Sequence, residues 1–126
     1  MLRGIVKSTV YVRISVNEIA VRHIESGREI HCRSQAPFST RRLLVGDFLA
    51  ANRCLTQALK EVNYGPAYFA APRVLMHPVE MVDGGLSPVE ERVLHELATM
   101  AGGRKTRIWV GRSLTDQEVA EQVNAA

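Results

Sequence analysis

Apolar and polar residues alternate three times in the first third of the chain. Thr9 to Ile14 sets Val10, Val12 and Ile14 against Tyr11 and Arg13. Glu18 to Ile24 sets Ile19 and Val21 against Ala20 and Arg22, and Glu29 to Ser34 sets Ile30 and Cys32 against His31 and Arg33. A period of two is the signature of a half-buried strand. The links Ser15-Val16-Asn17 and Glu25-Ser26-Gly27-Arg28 are short, and Gly27 tolerates positive φ. Three strands so joined predict an antiparallel meander.

After Pro37 the period changes. Phe48, Ala51, Leu55, Ala58, Leu59 and Val62 form one stripe of an amphipathic helix over Phe48 to Val62. Tyr64-Gly65-Pro66 breaks it. Arg73 to Met76 is apolar without alternation, the pattern of a strand covered on both faces. Asp83-Gly84-Gly85 reads as a loop. Ser87-Pro88-Val89-Glu90 then predicts a capping box, with proline where its missing N–H costs nothing. That helix runs through Val93, Leu94, Leu97, Ala98 and Ala101 and stops at Gly102-Gly103. Thr106 to Val110 is a fifth strand. Thr115-Asp116-Gln117-Glu118 opens a last helix with Val119 and Val123 on one side, ending in a frayed Asn124-Ala125-Ala126.

The order is β-β-β-α-β-α-β-α in one α/β domain spanning residues 1–126. Two right-handed crossovers after the meander predict a five-stranded mixed sheet of order 3-2-1-4-5, with strand 2 antiparallel. Both crossovers step the same way, so the two long helices share one face and the short one takes the other. Val10, Val12, Ile14, Ile19, Val21, Ile30, Cys32, Ile108 and Val110 are expected toward the long helices. The thinly covered face is expected to carry Arg13, Arg22, Arg33 and Arg107, with Tyr11, His31 and Trp109.

Composition narrows the classes. The chain has 126 residues, enough for one core and too few for a two-lobed enzyme. Its apolar runs are far shorter than the roughly 20 residues of a membrane span. The opening residues 1–7 lack the apolar core of a signal peptide, so the expected location is the cytoplasm. A net charge of +3 does not demand a nucleic-acid partner. Cys32 and Cys54 read as small buried hydrophobes rather than a disulfide. His23, His31, His77 and His95 form no close-spaced set with a cysteine or carboxylate, so no metal is expected.

The element order is that of the ribonuclease-H-like half of an actin-fold ATPase. Gly46-Asp47-Phe48 with Cys54-Leu55 and Lys60-Glu61-Val62 resembles the first long helix of the bacterial actin MreB family. Ala71-Pro72-Arg73-Val74-Leu75-Met76-His77-Pro78 is similar to its P-R-V strand. Val89-Glu90-Glu91-Arg92, Glu96-Leu97-Ala98 and Ala101-Gly102-Gly103-Arg104-Lys105 resemble its second long helix. The resemblance runs from Tyr11 to the C-terminus and implies the first, ribonuclease-H-like subdomain alone.

The departures from that family are specific. Its D-x-G-T phosphate turn stands here as Ser15-Val16-Asn17-Glu18, without the metal-serving carboxylate or the glycine. Its acidic pair after the fifth strand falls on Val110-Gly111-Arg112, and its small insert shrinks to Gln35 to Val45. The second lobe has no counterpart. The expectation is therefore no nucleotide, no cofactor and no enzymatic activity. A non-enzymatic interaction module follows: a degenerate actin-like subdomain that self-associates, binds an MreB-type filament, or binds rod-shape machinery. Tyr11, Arg13, Arg22, Arg33, Arg107 and Trp109 are the candidate partner-binding residues, because arginine and aromatics are enriched at interface cores. Packing under the last helix is an equal use for Trp109. An alternative is a nucleic-acid-binding module, with the arginines on phosphate and the rings on bases. The net charge argues against it. Glu91 and His95, four apart, read as a solvated polar pair rather than a residual catalytic site.

Overall fold

A computed structural model describes residues 8–62 and 71–125. The elements are β1 (Thr9–Ser15), β2 (Glu18–His23), β3 (Glu29–Arg33), α1 (Phe48–Val62), β4 (Arg73–Pro78), α2 (Pro88–Met100), β5 (Lys105–Ile108) and α3 (Asp116–Asn124). The five strands form one sheet of order β3-β2-β1-β4-β5. Strand β2 runs antiparallel to β1 and β3, while β4 is parallel to β1 and β5. The expected break at Tyr64-Gly65-Pro66, the residues before Ser8 and Ala126 lie outside the described residues. No helix among the described residues is long and apolar enough to cross a membrane.

The helices divide two to one across the sheet. Val10, Val12, Ile14, Ile19 and Val21 are fully buried on the side of α1 and α2, joined by Leu55, Ala58 and Leu97. Ile30, Cys32 and Ile108 pack at the margin of this core. On the opposite side Val119 and Val123 of α3 bury against Tyr11 and Leu75, with Trp109 and Leu114 alongside. Strand β4 lies between the two layers: Val74 and Met76 join the larger core and Leu75 the smaller one. This accounts for its unbroken apolar run. Both expected capping boxes are formed, Ser87 with Glu90 and Thr115 with Glu118.

One expectation needs correction. Val110 does not face the long helices; it lies beyond β5 and is 41% exposed. The cause is Pro78. The Trp109 N–H still donates to the Met76 carbonyl at 2.9 Å. In a parallel ladder the next bond would come from the residue 78 N–H, which proline lacks. Tyr11 lies on the α3 side as expected, and α3 leaves it only 3% exposed. Residues 34–47 are irregular but anchored. Phe38 is fully buried, and its carbonyl accepts from Gly46 and Asp47. Asp47 in turn accepts from the Ala50 amide at the start of α1, a side-chain N-cap.

Candidate interaction surfaces

The strand period brings the predicted arginines to the α3 side of the sheet, where most meet carboxylates. Arg22 donates to Asp116 through Nε (2.8 Å) and Nη2 (3.0 Å), a two-pronged pair that ties β2 to the first turn of α3. Arg13 donates to Glu29 at 2.7 Å, and the same carboxylate meets His31 at 2.6 Å. The Arg13 guanidinium also sits 5.5 Å from the Tyr11 ring centroid. Asp116 and Glu29 are both held below the usual carboxylate range. For Asp116 the hydrogen bonds from Arg22 are the main cause; for Glu29 the bonds from His31 and Arg13 outweigh its burial. Arg33 has only a long 4.0 Å approach to Glu18, and its side chain is 75% exposed. Arg107 donates to the Ala125 carbonyl. Arg13 and Arg22 are thus neutralised within the fold and present little free charge to a phosphate or an acidic partner.

Both aromatic candidates serve the α3 layer. The Tyr11 hydroxyl is 2.7 Å from Nδ1 of His77, and the two rings stack at 5.7 Å. His77 Nε2 is 3.0 Å from the Gly111 carbonyl, and the Leu114 N–H donates to the Tyr11 oxygen at 3.2 Å. Trp109 packs in the α3 cluster while its Nε1–H donates to the Arg112 carbonyl. Arg112 in turn pairs with Glu118, pulling that carboxyl down to about 2. Segment 109–118 is therefore woven onto the sheet.

The turn between β1 and β2 is also occupied by the protein itself. The Val16 N–H donates to Glu80 Oε2 at 2.7 Å, and the Asn17 N–H donates to Ser39 Oγ at 3.0 Å. Asn17 sits at φ 58, a left-handed conformation that asparagine tolerates. Glu91 and His95 are both exposed on α2. No cluster of three or more metal-ligating side chains is found among the described residues.

A groove that the strand pattern does not reveal opens past the C-terminal ends of β1 and β4. Leu43 to Val45, Pro78, Glu80 to Val82, Leu86, and Val89, Glu90, Val93 and Leu94 of α2 line it. Its volume is about 80 Å3. That is far below the roughly 300–1,000 Å3 of small-molecule pockets and suits one apolar side chain. Leu43 is 44% exposed and Val89 72% exposed at its margins. Glu80 and Glu90 are the charged residues of the lining. Each uses one oxygen on a backbone amide, of Val16 and Ser87 respectively. The sequence carries two traces of this groove: the apolar triple Leu43-Leu44-Val45 in a linker, and Val89 one turn ahead of the buried stripe of α2.

No protein-family model matches the chain. Over 105 residues it is 36% identical to the Uncharacterized protein YjaA of Escherichia coli (strain K12), an alignment covering 79% of this chain and 81% of that protein. With a relative of that identity matched over most of both lengths, the chain belongs to the YjaA family.

Proposed function

We propose that the chain is a non-enzymatic interaction module that seats an apolar side chain of a basic protein segment in the groove between Leu43, Met81 and Val89. In this reading it is a stand-alone subdomain resembling the ribonuclease-H-like part of the bacterial actin MreB. The sheet order, the antiparallel second strand and the two-to-one division of helices support that likeness. A role beside rod-shape machinery rests on the resemblance alone. The observation that carries the binding proposal is the groove itself: apolar walls open to solvent, sized for a side chain, with Glu80 and Glu90 as its charged groups. Exposed apolar surface rimmed by polar groups marks interaction sites, and two carboxylates favour a cationic partner. The absence of catalysis is supported by the β1–β2 turn, whose amides are held by Glu80 and Ser39. The internal pairing of Arg13 and Arg22 moves the proposed interface away from the arginine face.

Fluorescence anisotropy with two dye-labelled amphipathic peptides, one of leucine and lysine and one of leucine and glutamate, tests this. The lysine peptide binds and the glutamate peptide does not. Leu43→Ser and Val89→Ser each weaken binding roughly tenfold, the effect of losing one apolar anchor of about 1.4 kcal/mol. Arg22→Glu leaves binding unchanged. Equal binding of both peptides, or serine variants that bind like the parent, removes the groove from the proposal.

A further inference from the structure

We propose that Cys32 and Cys54 are a redox modification site, closing to a reversible intramolecular disulfide when the protein meets hydrogen peroxide and so stapling the edge strand β3 to α1. The two thiols are free and lie in facing elements. Cys32 stands opposite Ile19 in the sheet register and packs against the core that α1 completes. Cys54 is buried on α1, with its Sγ 3.3 Å from the Cys32 carbonyl oxygen. The Cys54 sulfur therefore touches the Cys32 backbone, and the Cys32 thiol lies near enough to interact with it directly. A disulfide further requires Cα atoms about 4.4–6.8 Å apart. Strand β3 is the edge of the sheet and pairs only with β2.

The unequal exposure of the two thiols sets the order of steps. Burial and the neighbouring Cys32 thiol push the Cys54 thiol up to about 12, so it is not the first nucleophile. Cys32 is partly exposed. Its thiolate attacks one peroxide oxygen, the O–O bond breaks, and hydroxide leaves to become water. The resulting sulfenic acid then meets Cys54: the Cys54 sulfur attacks the Cys32 sulfur, the S–O bond breaks, and a second water leaves with the Cys54 proton. Two thiols lose two electrons and two protons, and one peroxide becomes two waters.

The full chain is treated with hydrogen peroxide, denatured, alkylated with N-ethylmaleimide and weighed intact. The expected species has lost two hydrogens, takes up no maleimide, and regains both labels after dithiothreitol. Peptide mapping links the segment holding Cys32 to the segment holding Cys54. In Cys54→Ser the sulfenic acid has no partner within the chain, so Cys32 proceeds to sulfinic acid instead. Closing the 22-position separation raises the Tm of the oxidised protein by roughly 10 °C, the scale for a loop of that length. Retention of both maleimide labels at every peroxide dose overturns the proposal. So does oxygen addition at Cys32 with Cys54 still free to label, or linkage only between separate molecules.

Discussion

The Tyr11 hydroxyl and Nδ1 of His77, 66 positions apart in the chain, meet at 2.7 Å in the buried layer under α3. Their partners settle the direction of each hydrogen. The Gly111 carbonyl can only accept, so Nε2 of His77 carries the ring hydrogen. Nδ1 of the neutral ring is then the acceptor, the Tyr11 hydroxyl donates to it, and the Tyr11 oxygen accepts from Leu114 N–H. One relay thus ties β1, β4 and the segment leading into α3.

This relay makes stability depend on pH. Burial lowers the His77 pKa from the ordinary 6.5, outweighing its bond to Gly111. Below 6.5 the unfolded chain therefore binds a proton that the folded chain resists, and stability rises with pH through this range. The contribution is complete above 6.5 and is lost as pH falls below it. Urea unfolding from pH 8 to pH 5 shows this decline, and His77→Gln flattens it. An equally steep decline in the variant assigns the effect elsewhere. Tyr11→Phe at pH 8 lowers stability by about 1–3 kcal/mol, the cost of leaving buried partners unpaired.

Asn17 fastens the linker before α1 to the β1–β2 turn. Its Oδ1 accepts from both Phe38 N–H and Ser39 N–H at 2.8 Å, and its carbonyl accepts from Ser34. Asn17→Gly keeps the positive φ and removes only the side-chain bonds. A loss of about 1–3 kcal/mol in urea unfolding is expected. Exchange of the Phe38 and Ser39 amides accelerates along with it. Unchanged exchange at those two amides would show that the linker is held by Phe38 burial alone.

Gly103 sits where α2 turns into β5. A Cβ there would stand 2.8 Å from Val74 Cγ2 and 2.9 Å from the Ala98 carbonyl oxygen. Neither neighbour is the free end of a flexible chain, so Gly103→Ala overpacks the core at about 1–3 kcal/mol. Gly84→Ser makes the comparison. A Cβ at Gly84 meets nothing within 4 Å, so its cost is limited to backbone strain at φ 81. A Gly103→Ala protein as stable as its parent would mean that β4 yields at Val74.

Calorimetric titration with Mg·ATP is expected to give no binding heat. A phosphate at the β1–β2 turn would have to displace the Glu80 carboxylate from the Val16 N–H and the Ser39 hydroxyl from the Asn17 N–H. Glu80→Gln removes a negative charge from the turn and still yields no binding, because Ser39 and the Asn17 side chain remain. Micromolar affinity in the parent protein would overturn the non-enzymatic reading.

What local pattern carries was legible in the chain itself. Phe48–Val62 is helical over the predicted bounds because its stripe repeats at the helix period. The Ser87 and Thr115 side chains cap their helices by accepting from the backbone N–H three residues on. The alternation of β1 and β2 fixes which residues face the long helices, and chain handedness orders the sheet. Contacts between distant residues were decided only by the tertiary structure. Alternation places Tyr11 and Arg22 opposite the long helices. It cannot say that α3 buries the first and that Asp116, 94 positions away, neutralises the second. The end of β5 depends on the missing N–H of Pro78 in the neighbouring strand. The groove exists because three separate segments leave a space between them, and a space has no period. Hydrophobic patterning is a property of neighbours along the chain; ion pairs, buried relays and cavities belong to neighbours through space.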